Sequence, residues 1–408
     1  MPTIAHVTNY LRVRKKGDHA MIMICFMAFF WCVFDGIMGY MVPISITSNG
    51  YSESTMGLIF GSSSVAGMIF DFILCRYLRH ANYRRMYLLM FGLCILFPLL
   101  MWQPSILLIY LLAMTVWGMY YDLFNMGNLA FISQNTEKKT FSSHFGILLA
   151  FITLGAVLSP MISSYLLSQT SHDMPFLAAL GFLLIAFIFF SLASIVSRRK
   201  KKEVLIKYEP TNVWIELKTW KKIGHYLLPV LFFTLYLNII NAFYWVIGPL
   251  LSERLNMDGE NGLFLMAYLF PPLIVGWIVG RITNRLGKKH TAFLALILGS
   301  AVMTSFVVIS NPLVLVAVNF VAAFFIAMAW PSINGVYADY ISERPDLDTE
   351  IETVQDTFTN LGYVIGPVFA GFAAQYLGYT QSFALAGVIG VVVGIALLVI
   401  TPKHIRIR

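Results

Sequence analysis

The sequence predicts an all-α membrane protein of twelve transmembrane helices in two pseudo-symmetric six-helix bundles. Three observations predict it: scarce charge, the number and length of the apolar runs, and the one-sided placement of lysine and arginine. Of 408 residues, 58% are hydrophobic and only 12% are charged. That is too little charge to cover a water-facing surface of this size, so lipid is the solvent for most of the chain. Crossing the hydrocarbon takes about 20 apolar residues. Twelve runs qualify, at 20–44, 54–78, 84–102, 105–132, 141–167, 175–197, 225–250, 261–283, 290–309, 313–341, 353–375 and 380–401. Turn residues separate them, as at Ser48-Asn49-Gly50, Gln103-Pro104, Asn311-Pro312 and Gly378. The first run is too long for a signal-peptide core and contains Asp35, so it is expected to be retained.

A formal net charge of +8 raises the question of nucleic acid. The positions of the charges answer it, because they cluster between apolar runs and not on one basic face. Arg12 to Lys16, Arg76 to Arg85, Lys138-Lys139, Arg198 to Lys202 and Arg281 to Lys289 share one side of the alternation, joined by Lys403, Arg406 and Arg408. The loop after the tenth run is weaker, with Arg344 among acids, and the opposite loops carry Arg254 alone. This asymmetry places both termini in the cytoplasm and makes the bilayer, not nucleic acid, the macromolecular partner; the compact loops and the lack of a targeting segment lead to the expectation of an inner (plasma) membrane.

The chain divides into an N-terminal bundle at 1–197, a cytoplasmic linker at 198–224 and a C-terminal bundle at 225–408. In the linker, Val213, Trp214, Leu217 and Trp220 beside lysines predict a short amphipathic helix on the inner leaflet; a plain linker is the alternative. The halves repeat weakly. Gly155-x-x-x-Ser159-Pro160 in the fifth run recurs as Gly362-x-x-x-Gly366-Pro367 in the eleventh, and Pro43 matches Pro249, which sets Asp35 opposite Asn241. Paired halves with a site between them near the midplane are a transporter architecture. Cys25, Cys32, Cys75 and Cys94 show neither CxxC spacing nor partner histidines, so no disulfide, metal or cofactor is expected. No HExxH, no nucleophile elbow and no sizeable soluble domain is present, so an enzyme is not expected either.

The loop after the eighth run reads Gly280-x-x-x-Asn284-Arg285-Leu286-Gly287-Lys288-Lys289. It resembles the signature loop of the major facilitator superfamily in all but its acid, here Asn284. After the second run, Gly67-x-x-x-Asp71 and the later Arg76, Arg79, Arg84 and Arg85 survive from the first-half copy. The Gly155/Ser159-Pro160/Ser163 run is similar to the family's antiporter signature, closest in pattern to its twelve-helix drug:proton antiporter group. Plain tight packing explains that run equally well, since small residues and a proline let helices approach and bend. An arginine that the family places four residues before the glycine of the fourth helix is Met114 here, before Gly118. The resemblance implies a secondary transporter working by alternating access, monomeric, with a gate built from these motifs. The gate residues are then Gly67, Asp71, Arg76, Gly155, Pro160, Gly280, Asn284, Arg285, Gly287, Asp339, Gly366 and Pro367, with Asp339 making and breaking contacts to loop arginines.

Two carboxylates, Asp35 in the first run and Asp122 in the fourth, lie deep with no lysine or arginine at their level. A charge there costs at least a few kcal/mol, so such a residue normally has a function or a partner. Proton coupling through one or both is expected; a protonated, hydrogen-bonded structural acid is the alternative. Polar residues recur at helical spacing on related runs: Asp122 and Asn125 on the fourth, Asn238, Asn241, Tyr244 and Trp245 on the seventh, Trp330, Asn334 and Tyr337 on the tenth. With Asp35, these fall on runs 1, 4, 7 and 10, the set that lines the central cavity in the family. For any single Asn, an interhelical hydrogen bond is an equal reading. The set is acidic, amide-rich and aromatic and lacks fixed positive charge, which makes phosphorylated and other anionic solutes poor candidates. A cationic or neutral amphipathic compound, exported against protons, fits the acids and aromatic faces. A neutral polar solute such as a sugar or nucleoside, imported by symport or uniport, fits the amides.

Overall fold

The computed structural model describes residues 16–77, 82–102, 106–136, 140–168, 173–197 and 213–401. Secondary structure among them is helical, without a strand. The helices are α1 (Lys16–Ser48), α2 (Glu53–Tyr77), α3 (Tyr83–Trp102), α4 (Leu107–Asn135), α5 (Phe141–Ser168) and α6 (Met174–Val196) in the first half. The second half contains α7 (Val213–Val246), α8 (Gly248–Arg254), α9 (Leu263–Leu269), α10 (Pro271–Leu286), α11 (Lys288–Thr304), α12 (Pro312–Glu343), α13 (Asp348–Leu377) and α14 (Tyr379–Ile400).

Ten helical stretches among the described residues are long and apolar enough to cross a membrane. The chain is therefore an integral membrane protein. The expected second and eleventh spans, α2 and α13, are long helices that lie outside that set. In α13 the apolar run is interrupted by Asn360, Gly362, Gly366, Gly371 and Gln375; in α2 the side chains of 71–77 are not described. The expected eighth span is broken at Phe270, where the Pro271-Pro272 pair starts a new helix. The expected linker helix is no separate element from Val213 onward, because α7 runs unbroken to Val246; residues 198–212 lie outside the described set, as do Arg12, Lys138, Lys139 and the C-terminal basic residues.

The same neighbour relations recur in the two halves. Within the first, α1 packs on α5 and α6, α3 on α4, and α2 on α4; within the second, α7 packs on α13, α11 on α12 and α14, and α10 on α12. Between them, α2 packs on α13, and α5 on α9 and α10. Glycine sets these approaches. A Cβ on Gly155 would stand 2.9 Å from Cys32 on α1, and one on Gly362 or Gly366 would stand 2.6 Å from Asn238 or Ala242 on α7. The repeated glycine motif thus presses the fifth and eleventh spans onto the first helix of their own half. Its prolines face the other way: the carbonyl of Pro160 abuts Gly262, and that of Pro367 abuts Gly57.

Candidate functional site

Asp35 sits half-buried on α1, reached by two donors from α4. Trp117 Nε1 donates to Asp35 Oδ1 at 3.0 Å, and the Tyr120 hydroxyl donates to the same oxygen at 2.7 Å. Two donors three residues apart lie on one helical face, so α4 presents both to a single acceptor. The ion pairs among the described residues are Lys288–Asp339 and Arg344–Asp346, so neither partner of Asp35 is basic. Gly39, one turn further along α1, brings the halves together, because its Cβ position lies 3.6 Å from both Trp117 and Trp245.

Across the interface, Asn241 on α7 is held in a parallel way. The Tyr268 hydroxyl donates to Asn241 Oδ1 at 2.8 Å, and Asn241 Nδ2 donates to the Tyr363 hydroxyl at 2.6 Å. Tyr244 stacks on Tyr268 with ring centroids 3.5 Å apart and donates to Asn319 at 2.7 Å, so it braces the ring that holds Asn241.

The remaining expected residues separate. Asp122 is half-buried and faces α2, where a Cβ added to Gly67 would lie 3.0 Å from its Oδ2. Asn125 is exposed on α4, and Asn334 is exposed on α12, where it accepts from Gln355 at 3.4 Å. Asn238 is fully buried beneath Gly362 and donates to the Thr234 carbonyl, and Tyr337 is buried with its hydroxyl on Thr234. Both belong to packing inside the second half. Trp330 is half-buried on α12.

Of the expected gate, Gly287 adopts φ 83° between α10 and α11, a conformation that favours glycine. The Cβ position of Gly280 is open, and Asn284 and Arg285 are exposed. Asp339 pairs with Lys288 of the signature loop at 2.5 Å, within its own half, where the expectation was an arginine. Asp71 and Arg76 lie on α2, and their side chains are outside the described set.

The hydrogen bonds that tie the two halves gather toward the end away from the basic loops. Tyr40 donates to Glu253 Oε1 at 2.6 Å, while Asn261 Nδ2 holds Glu253 Oε2 at 3.0 Å. Tyr379 donates to Glu53 at 3.1 Å, Ser164 to the Gly259 carbonyl at 3.2 Å, and the Ser54 backbone N–H to Gln375 at 3.3 Å. This end is sealed. Sequence reading missed the seal, since Glu53, Glu253 and Asn261 look like solvated loop residues until the halves are docked. It missed Trp117, Tyr120, Tyr268 and Tyr363 as well; the hint available was two aromatic residues three apart beside a deep acid.

Comparison with known proteins completes the assignment. The sequence model of the Major Facilitator Superfamily matches residues 24–347 and 238–407. The quinolone resistance protein NorA of Staphylococcus aureus is 26% identical over 174 residues, which cover 41% of this chain and 44% of that protein. The match thus spans under half the length of the curated relatives. Among solved structures, the nucleoside transporter NupG superposes with a TM-score of 0.71 at 11% identity, over 94% of this chain and all of that one. The peptide transporter POT in complex with sulfate gives 0.74 at 13% identity, over 95% of each chain. A bacterial homolog of the human lysosomal transporter Spinster, inward-facing and unoccupied, gives 0.68 at 11% identity, over 94% of this chain and 96% of that one. At these identities the superpositions speak for the fold alone. With helices throughout the described residues and the family's sequence pattern over nearly the whole length, the chain belongs to the Major Facilitator Superfamily.

Proposed function

We propose that the protein is a proton-coupled antiporter that exports a small cationic or neutral amphipathic compound, with Asp35 as the proton carrier. One observation carries the reading: both donors to Asp35 converge on Oδ1, and neither engages Oδ2. An oxygen that only accepts serves equally in the carboxylate and in the acid. Trp117 and Tyr120 can thus hold the side chain in place while Oδ2 takes up a proton or meets a cationic group. Trp245, 3.6 Å from the Cβ position of Gly39 one turn further along α1, is half-buried and offers an aromatic surface to an amphipathic cation, whereas Phe97 stacks on Trp117. The partial similarity to a quinolone resistance protein supports the same direction.

In this reading the halves 1–197 and 225–408 rock about the site, with 198–224 as the connection, both termini cytoplasmic, and a single chain as the working unit. The sealed end is then the outer one. Opening it breaks Tyr40–Glu253 and Tyr379–Glu53 and parts Gly57 from Pro367 and Gly262 from Pro160. Asp122, pressed against Gly67 between α2 and α4, is the second candidate for the proton. Asn241 supports a different cargo, a neutral polar solute such as a nucleoside, because a hydrogen-bonded amide pairs with hydroxyls and bases.

Lumenal pH in proteoliposomes discriminates these readings. Adding a cationic amphiphile to the wild type is expected to move protons in the opposite sense to the solute, and Asp35→Asn is expected to abolish that movement. Solute flux with no proton movement, unchanged in the variant, would remove Asp35 from the coupling and leave facilitated diffusion.

A further inference from the structure

We propose that a cleft at the sealed end of the second half binds the phosphate of an anionic lipid headgroup, with Arg254 as its cationic anchor. The cleft of ≈ 440 Å³ lies where the end of α8 meets the turns that start α12 and α14. It is separate from the Asp35 site. Its one charged lining residue is Arg254, and no carboxylate lines it. Arg254 is also the lone basic residue in the loops on this side of the alternation, where the positive-inside bias disfavours one.

The polar lining is rich in donors. The Arg254 guanidinium lies over the Tyr379 ring, 4.2 Å from its centroid. Beyond its contact with the Tyr379 hydroxyl, a guanidinium stacked on a ring keeps further edge N–H groups for an anion. Among the described residues no carboxylate forms an ion pair with it. The neighbouring acceptors are already engaged. Asn311 Oδ1 accepts from Leu313 N and Val314 N at the start of α12, and Gln381 Oε1 accepts from Thr380 at 2.9 Å. Their amide nitrogens remain, so the cleft offers N–H groups with few competing oxygens. That is the chemistry of an oxyanion site.

The surroundings favour a lipid as the source of the oxyanion. Leu377 lines the cleft and is 48% exposed, and Val308 and Leu313, next in sequence to lining residues, are 77% and 64% exposed. Apolar side chains this exposed on a membrane protein face acyl chains, so the cleft opens beside the bilayer. Which leaflet supplies the headgroup rests on the orientation proposed above; the site itself does not. The ligand would sit beside Tyr379, whose hydroxyl holds Glu53 of the first half, so its binding favours the sealed state.

The test uses purified full-length protein and thermal unfolding titrated with short-chain phosphatidylglycerol, phosphatidylcholine of the same acyl chains, or inorganic phosphate. Wild type is expected to bind phosphatidylglycerol about fivefold more tightly than phosphatidylcholine, the worth of one interfacial cation. Arg254→Gln should erase that preference. Gln381→Glu, which keeps the arginine but adds an acid to the cleft, should erase it too. Preference retained in Arg254→Gln overturns the proposal, and so does preference retained in Gln381→Glu should the first variant fail to fold. Protection by inorganic phosphate alone, equal to that by phosphatidylglycerol, overturns the lipid and assigns the cleft to a soluble anion.

Discussion

Asp35 and Asn241 occupy matching places in the two halves, each eight residues before a proline, Pro43 and Pro249. Each collects aromatic partners from other helices of its own half. The difference lies in what those partners leave over. Tyr268 and Tyr363 use both ends of the Asn241 amide, one as donor and one as acceptor. Trp117 and Tyr120 crowd onto one oxygen of Asp35. An amide carries no titratable proton, whereas a carboxylate does. A nearly symmetric scaffold can therefore place its titratable chemistry on one side and a fixed polar contact on the other. The signature loop shows the opposite bias: the second half keeps it and ties it to Asp339, while only fragments survive in the first.

The largest effect tests the division directly. Asp35→Asn should reduce substrate-driven proton flux on the order of 100-fold, the scale of losing a positioned proton-transfer group, while exchange of solute for solute persists. Asn241→Leu should slow solute flux yet leave the ratio of protons to solute unchanged. A changed ratio in Asn241→Leu would break the comparison, since coupling would then be shared between the halves.

The seal should be symmetric where the chemistry is not. A Cβ on Gly57 overlaps the Pro367 carbonyl, and one on Gly262 overlaps the Pro160 carbonyl. Gly57→Ala and Gly262→Ala should each disfavour the sealed state by about 1–3 kcal/mol, the usual cost of overpacking. Labelling of a reporter cysteine at position 245 from the sealed side, in a background without the native cysteines, reads this as faster modification. A large effect in one variant and none in the other would mean that one half carries the seal.

A smaller contrast comes from single hydroxyls. Tyr120→Phe removes a donor to a carboxylate, worth about 1.5–3 kcal/mol, and Tyr268→Phe removes one to an amide, worth about 1 kcal/mol. Transport should fall by roughly tenfold or more in the first and by severalfold in the second. Equal losses would indicate that Asp35 stays protonated throughout the cycle, so that it differs little from an amide.

The helices and the repeated Gly–Pro motif were legible because each is written in local spacing. Gly155 and Gly362 do the same packing work, as their shared pattern implied. What the spacing could not give is the neighbour across each face. Asn238 and Asn241, three apart, share a face of α7, yet Gly362 closes over the first while Tyr268 and Tyr363 reach the second. Trp117 and Tyr120 find Asp35 across 82 and 85 residues, with no local signal of the pairing. Glu253 shows the converse. A charged residue at a helix end is normally solvated, and only the docking of α1 makes it an acceptor for the buried Tyr40.

The smallest expected effect lies in the loop that the second half retained. Lys288 and Asp339 are 2.5 Å apart, but their side chains are 40% and 57% exposed. Ion pairs in that setting contribute about 0–1 kcal/mol, since water and salt screen them. Lys288→Gln should therefore leave thermal stability nearly unchanged and alter transport by less than about fivefold. Lys288 also donates to the Gly335 carbonyl at 3.1 Å, a contact that a glutamine amide can replace in part. A collapse of transport at intact stability would show that the pair is remade across the halves when the opposite end closes. The retained loop would then be a gate, and the asymmetry of the protein would include its gating as well as the proton chemistry proposed for Asp35.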